Sequence, residues 1–357
     1  MPRFLPISLV LLSLTPSLAL AYGEPDDEGL PSPTERSLHF FTDRLRVDPG
    51  YTDSLFSGYL PVPPLAYNHQ LGAAARFYAN DMAENGCFPA DHSSCDGTPF
   101  GTRVADFYSA LPIGENIASG HPTPEQTVFE GWLYSEGHRD NMLSDAWNEI
   151  GTGFPDSDPS LIWVQDFGGG GLSGQPIATS GTHDPLEPSP QDPLDFFLAV
   201  HDPEGQPAQV HLIKGGVCHP MEDDRGSGGM STFLFQDQSG EARCIPYYFK
   251  VSRVNQEEVF YPSTGSLIVP VGAGDCPEWE DTRLPADCAP GQGVESDGPP
   301  LGGTGQGCGD PSGDPNAAYG AEETAYGSCS QGGTNAPRRL GLLLVVLLPS
   351  FLRRRRL

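Results

Sequence analysis

Leu71, Ala75, Tyr78 and Met82 fall at i, i+4, i+7 and i+11, one apolar stripe at helical spacing. A helix with a single such stripe must lay it against another layer. Asn85-Gly86 ends the run, glycine being free to take the left-handed backbone that closes a helix. The partner layer has to come from the sequence downstream. Ile150–Phe154 and Leu161–Phe167 read as two strands. The Pro155-Asp156-Ser157-Asp158-Pro159-Ser160 segment between them has hairpin chemistry. Thr123-Pro124-Glu125-Gln126 is a second helix start, with a Thr cap, Pro in the first turn and Gln three residues on. Val128, Phe129, Trp132 and Leu133 form its buried face. A shorter amphipathic helix begins at Ser37, carrying Leu38, Phe41 and Leu45. These elements predict helices packed on a small antiparallel sheet.

Residues 194–288 read differently. Phe196–Val200, Gln209–Ile213, Thr232–Phe235, Tyr247–Val251 and Leu267–Val271 are five strand-like runs separated by turn residues, the pattern of a small all-β sandwich. Residues 169–193, rich in Gly, Pro and Asp, are expected to be a linker. Residues 22–37 read as a flexible lead-in, and 289–336 as a Gly/Pro-rich acidic stalk with too little apolar surface to order itself.

Both ends carry targeting chemistry. Arg3, an apolar run and Ala19-Leu20-Ala21 make residues 1–21 a signal peptide, too short in its apolar core to span a membrane. Residues 337–357 hold an apolar run, Leu340–Leu352, followed by Arg353–Arg356, a sorting or membrane-anchoring tail. Eight cysteines suit an oxidising compartment. Nearest-neighbour pairing would join Cys87 to Cys95, Cys218 to Cys244, Cys276 to Cys288 and Cys308 to Cys329, although spacing alone does not determine connectivity. A net charge of −28, from 47 acids and 19 bases, excludes a nucleic-acid partner, which needs a basic face.

No nucleophile elbow, phosphate-binding glycine loop or Rossmann glycine pattern is present. Trp132, Phe129 and Trp163 are core residues by their apolar spacing. His211, His219 and the Glu222-Asp223-Asp224 run lie in the β region, where the acids lack the alternating spacing of a calcium loop and read as a solvated loop. The remaining chemistry is two histidines, His92 and His138, with carboxylates strung between them. Imidazoles and carboxylates meeting in a cleft could bind a divalent metal or act as acid and base. A separation of 46 positions does not bring them together by itself.

The ordered set Asp81-Met82-Ala83, His92, Arg103, Gly114-Glu115-Asn116-Ile117-Ala118, Trp132, Ser135-Glu136-Gly137-His138-Arg139, Asn141-Met142-Leu143 and Ile150-Gly151-Thr152-Gly153 resembles the CAP (SCP-like) superfamily in its bacterial extracellular branch. The resemblance covers residues 38–168. It implies an α-β-α sandwich, so the expected fold class is α/β, a CAP-type domain followed by the β-sandwich. It also implies a cleft built from His92, Glu115 and His138, with a second acid near Trp132. Ser135 stands at about that position here, which leaves Glu136 or Glu130 as candidates. His92 and His138 are the expected metal ligands, with Zn²⁺ as the implied ion and no organic cofactor. The resemblance favours a secreted, surface-displayed binding module for a metal ion, lipid, peptide or cell-wall ligand. A metal-assisted hydrolase using Glu115 as general base, or a structural protein with a vestigial cleft, are the alternatives. The tail resembles a MYXO-CTERM sorting signal, which implies processing near Cys329 and attachment to the outer surface.

Overall fold

The computed structural model describes residues 31–155, 160–170, 174–272 and 274–288. The signal peptide, the stalk, the tail with its apolar run, and the Cys308 and Cys329 pairing all lie outside the described residues. Among the described residues no helix is long and apolar enough to cross a membrane.

The apolar stripe forms helix α2 (His69–Asn85), capped by Asn68, whose side chain accepts from the Gln70 and Leu71 amides, and closed by Gly86 at φ 62°. Its partner is a four-stranded sheet in the order β1 (Ala66–Tyr67), β3 (Glu149–Gly153), β4 (Ile162–Gly168), β2 (Ile113–Ser119). β1 runs parallel to β3, and β4 runs antiparallel to both β3 and β2. The two expected strands are β3 and β4; β2, which carries the Gly-Glu-Asn motif, has no apolar alternation strong enough to announce a strand. The glycines of Ile150-Gly151-Thr152-Gly153 have a steric reason. A Cβ on Gly151 would sit 2.0 Å from the Leu71 carbonyl carbon, and one on Gly153 would sit 2.3 Å from that of Ala75. The helix backbone therefore rests directly on β3, and only glycine permits that approach.

α3 (Phe100–Ala105) and α5 (Glu136–Met142) are short. The helix that starts at Thr123 is irregular. One α-turn, α4 (Pro124–Gln126), passes into a π-turn over Thr127–Gly131 and a 3₁₀ turn over Trp132–Tyr134. The expected buried face is nonetheless correct: Val128, Phe129, Trp132 and Leu133 are all buried, as is Trp163.

The sandwich has two sheets. One runs β5 (Ala178–Asp184), β6 (Pro193–His201), β10 (Met230–Gln238), β9 (Glu222–Ser227). The other runs β14 (Trp279–Glu280), β13 (Ser266–Val271), β11 (Arg243–Ser252), β7 (Gln209–Lys214), β8 (Val217–Pro220), with β12 (Glu258–Tyr261) paired to β11. Each expected run lies inside β6, β7, β10, β11 or β13. The Glu222-Asp223-Asp224 stretch is an edge strand rather than a loop, because Asp224 is held by Arg44 (2.8 and 2.9 Å) and Thr232 (2.8 Å).

Helix α1 (Pro33–Val47) corrects two expectations. It begins inside the expected lead-in, started by a capping box in which the Ser32 side chain and the Glu35 backbone, and the Glu35 side chain and the Ser32 backbone, satisfy each other. It is also buried almost all round rather than on one face. One side packs on the β1–β4 sheet and the irregular helix; the other packs on β5, β6 and β10. Phe40 stacks on Phe197 at 5.0 Å, and Asp43 accepts from Ser180 (2.6 Å) and Thr179 (3.1 Å). Those two residues belong to β5, within the segment expected to be a linker. A Gly/Pro-rich composition concealed a strand because its inward groups, Thr179, Ser180 and Thr182, are small and polar, and pair with α1 rather than with an apolar core. Residues 31–288 accordingly fall in one compact unit, not two separated by a tether.

Three disulfides occur among the described residues. Cys87–Cys95 is as expected; the others are Cys218–Cys288 and Cys244–Cys276. Cys218 and Cys244 lie on β8 and β11, which β7 separates, so they cannot reach each other. Cys244 instead faces the chain leaving β13, and Cys218 on the sheet edge receives the returning C-terminal segment.

Candidate functional site

The loop after α2 is stapled at its base by Cys87–Cys95 and anchored to the helix. The Cys95 amide donates to Asp81 (2.8 Å) and the Tyr78 hydroxyl to the Ser93 carbonyl (2.9 Å). His92 sits at its tip with φ 61°, a left-handed conformation uncommon for a side-chain-bearing residue. Arg103 of α3 holds it there. The buried guanidinium lies 3.5 Å from the Tyr78 ring centre, donates to the His92 carbonyl (3.0 Å) and pairs with Glu115. Glu115 also bonds His92 Nδ1 at 2.8 Å. Both carboxylate oxygens of Glu115 are thus engaged, one by His92 and one by Arg103.

Asn116 and Asn141 tie this assembly to α5. Asn116 donates to the His138 carbonyl (3.1 Å) and Gln165 (3.2 Å), and Asn141 donates to the Glu115 carbonyl (3.0 Å) and Asn116 (3.1 Å). Gly114 leaves room for this packing, since a Cβ there would meet Trp147 at 2.8 Å. His138 is half-buried beside Trp132, with no hydrogen bond on its ring nitrogens. Burial, and then the neighbouring His92, hold its pKa below the usual histidine value, so it is a neutral imidazole at pH 7.

His92, Glu115 and His138 are therefore connected through bonds and field. Glu130 and Glu136 are both exposed, and no hydrogen bond or ion pair joins either to His92, Glu115 or His138. The acid that does reach Glu115 was not anticipated. Asp166 lies opposite Glu115 in the β2–β4 register and is fully buried, with no donor to either oxygen. Burial first, and the adjacent Glu115 carboxylate second, push its pKa well above the usual carboxylate range. Two acceptors in contact need a proton between them, and Asp166 as a neutral acid supplies it. A signal was present: Gln165-Asp166 is a polar pair inside the apolar run Ile162–Phe167.

Two groups of three ligating side chains within 4.8 Å occur among the described residues, His211/Cys218/Cys288 and Asp81/Cys87/Cys95. Their cysteines are in disulfides, which leaves no thiolate for a metal.

The fold is thus an α-on-sheet domain with a stapled histidine loop and a Gly-Glu-Asn strand. Residues 42–167 match the CAP family, the cysteine-rich secretory protein family, and the chain carries a CAP domain. An uncharacterized protein, YkwD, of Bacillus subtilis (strain 168) is 39% identical over 105 residues, covering 29% of this chain and 39% of that protein. Among solved structures, an extracellular protein containing a SCP domain from Bacillus anthracis is 32% identical over 30% of this chain and 34% of its own, with TM-score 0.27. An outer surface protein from Borrelia burgdorferi is 20% identical over 42% of this chain and 99% of its own, with TM-score 0.31. The chain thus spans under two-fifths of the two Bacillus proteins.

Proposed function

We propose that this is a secreted binding module whose CAP domain presents His92 and His138 to a divalent metal ion, with zinc the best match to two nitrogen donors. The observation that carries this reading is the commitment of Glu115. Its oxygens are engaged by His92 Nδ1 and by the buried Arg103, so it is placed to orient an imidazole rather than to take a proton from water. A carboxylate on one ring nitrogen leaves Nε2 of His92 as the ligating atom, the usual support for a metal-bound histidine. His138, neutral at pH 7, supplies the second nitrogen. The metal-assisted hydrolase is disfavoured because Glu115 is buried, with both oxygens held by His92 and Arg103, and a general base must reach the proton of its water. Secretion is supported by the signal-like N-terminus and by three disulfides, which persist in oxidising compartments. Display through the C-terminal tail is part of the same proposal.

Calorimetric titration of the secreted protein with zinc at pH 7.5 and 5.5 tests it. One-to-one binding is expected at pH 7.5, weaker at pH 5.5 because protonated imidazoles do not ligate, and lost in His92→Ala and His138→Ala. Absence of zinc binding in the parent protein overturns the metal reading. Peptide or cell-wall hydrolysis abolished by Glu115→Gln overturns the binding-module reading in favour of the hydrolase.

A further inference from the structure

An ion pair crosses the sandwich from one sheet to the other. Lys214 ends β7, two residues after Leu212, and is paired with Tyr247 in the strand register. Leu212 and Tyr247 belong to the sandwich core, so Lys214 shares their inward face. Asp237 stands near the end of β10 in the opposite sheet, four residues after the core residue Phe233 and two after Phe235, and faces inward as well. Lys214 Nζ meets Asp237 Oδ2 across the gap. The two side chains are largely withdrawn from water, at 14% and 31% exposure. The chain has only two lysines. The other, Lys250, pairs with the exposed Glu258 of the neighbouring strand β12, within one sheet.

His219 faces this pair. It is paired with Leu212 from the edge strand β8 and is therefore diagonal to Lys214 on the same face, a separation of roughly 7–8 Å that long side chains bridge. Its ring lies 4.7 Å from that of Phe235, the inward neighbour of Asp237. It is 9% exposed, and neither ring nitrogen has a hydrogen-bond partner. A buried imidazole without partners is costly. Burial, and then the Lys214 charge, lower its pKa against the opposing effect of Asp237, so at pH 7 it is neutral, with one donor and one acceptor nitrogen. A cavity of about 400 Å³ lined by Lys214 and His219 opens beside them.

We propose that Lys214 and Asp237 condense to an isopeptide bond that locks the two sheets together, with His219 relaying a proton. One ammonium proton passes from Nζ to an Asp237 oxygen within the ion pair. The free amine attacks Cγ, and the C–N bond forms. The nitrogen then gives a second proton to the acceptor nitrogen of His219, while the other ring nitrogen protonates the departing hydroxyl. The Cγ–O bond breaks and water leaves through the cavity. An ammonium and a carboxylate become one amide and one water, and no co-reactant is needed. Groups held in contact by a fold react at effective concentrations as high as ~10⁵–10⁸ M, which offsets the cost of condensing in water. The two disulfides of the sandwich start on β8 and β11 of one sheet and end in the segment after β13. Neither ties sheet to sheet, and this bond does. It is independent of the reading given for the CAP histidines.

Tryptic mapping of the reduced and alkylated secreted protein is the test. Arg225 lies between Lys214 and Asp237, so without the bond the two fall in different peptides. The expected product is one branched species, lighter by one water than the unlinked peptides of the same span, with the Lys214–Gly215 bond uncut because trypsin does not cleave after an acylated lysine. Lys214→Arg keeps the ion pair but cannot form the amide, so it should give ordinary separate peptides, as should Asp237→Ala. Separate Lys214 and Asp237 peptides from the parent protein overturn the proposal. His219→Gln should leave most of the freshly made protein unlinked; linkage at the parental rate overturns the part given to His219.

Discussion

Arg103 shows how one buried side chain sets a site. It fixes the His92 backbone, neutralises Glu115 and lies against the Tyr78 ring. Arg103→Ala leaves a buried carboxylate without its cation, which costs about 3–5 kcal/mol; urea denaturation should report a loss of that order, and the His92 ring signals should lose their fixed environment. Arg103→Lys is not conservative here, because a single ammonium cannot serve both acceptors with the planar fork of a guanidinium. Asp166 makes the opposite case. Its folded pKa lies above the unfolded value of about 3.9, so its contribution is fully present below pH ~3.9 and is lost as pH rises toward the folded pKa. Asp166→Asn keeps a donor for Glu115 without titrating. The variant should therefore gain stability relative to the parent as pH rises from 4 to 8, measured as the difference in urea midpoints; a constant difference across that range would exclude the shared proton. His92 and Glu115 were legible as motif residues, but Asp166 was not, because its meeting with Glu115 is made by strand pairing rather than by sequence spacing.

At the scale of elements, β5 is the seam. Its His183 is fully buried between the Tyr247 hydroxyl (2.8 Å to Nδ1) and the Leu186 carbonyl (3.1 Å to Nε2). The carbonyl can only accept, so Nε2 carries the proton and Nδ1 accepts from tyrosine. Burial pulls the His183 pKa down to about 4. The sign follows directly: stability is complete above the unfolded pKa of about 6.5 and is lost as pH falls toward 4, by about 3 kcal/mol in total. A His183→Gln variant should be less stable at pH 7 and show a flatter fall between pH 6.5 and 4, measured by thermal or urea unfolding at stepped pH. The irregular helix at Thr123 makes a related point. Its cap and buried face follow from the residues, whereas its π- and 3₁₀-turns come from seating Trp132 so that its Nε1 donates to the Ile117 carbonyl (3.1 Å).

For the whole molecule, α1 is the decisive element. Leu38, Phe40, Phe41 and Leu45 share one apolar cluster with Trp132, Trp163 and Phe167 of the CAP domain and with Phe197 and Ala199 of β6. The CAP domain and the sandwich should therefore melt together, as one calorimetric transition, and Phe197→Ala should lower it by about 3–5 kcal/mol rather than split it. Two resolved transitions, with only one moved by Phe197→Ala, would show that α1 does not couple the halves. The sequence alone determined the α2 stripe, the β3–β4 hairpin and five strands of the sandwich, because each is written in local periodicity or turn chemistry; the Cys87–Cys95 staple was a nearest-neighbour expectation that the structure bears out, and the motif residues came from the resemblance to the CAP family. Only the tertiary structure decided the remaining two disulfides, the strand hidden in the Gly/Pro-rich segment, the burial of α1 between two layers and the pairing of Asp166 with Glu115. All four depend on contacts between residues far apart in the chain, where the partner rather than the local pattern supplies the free energy.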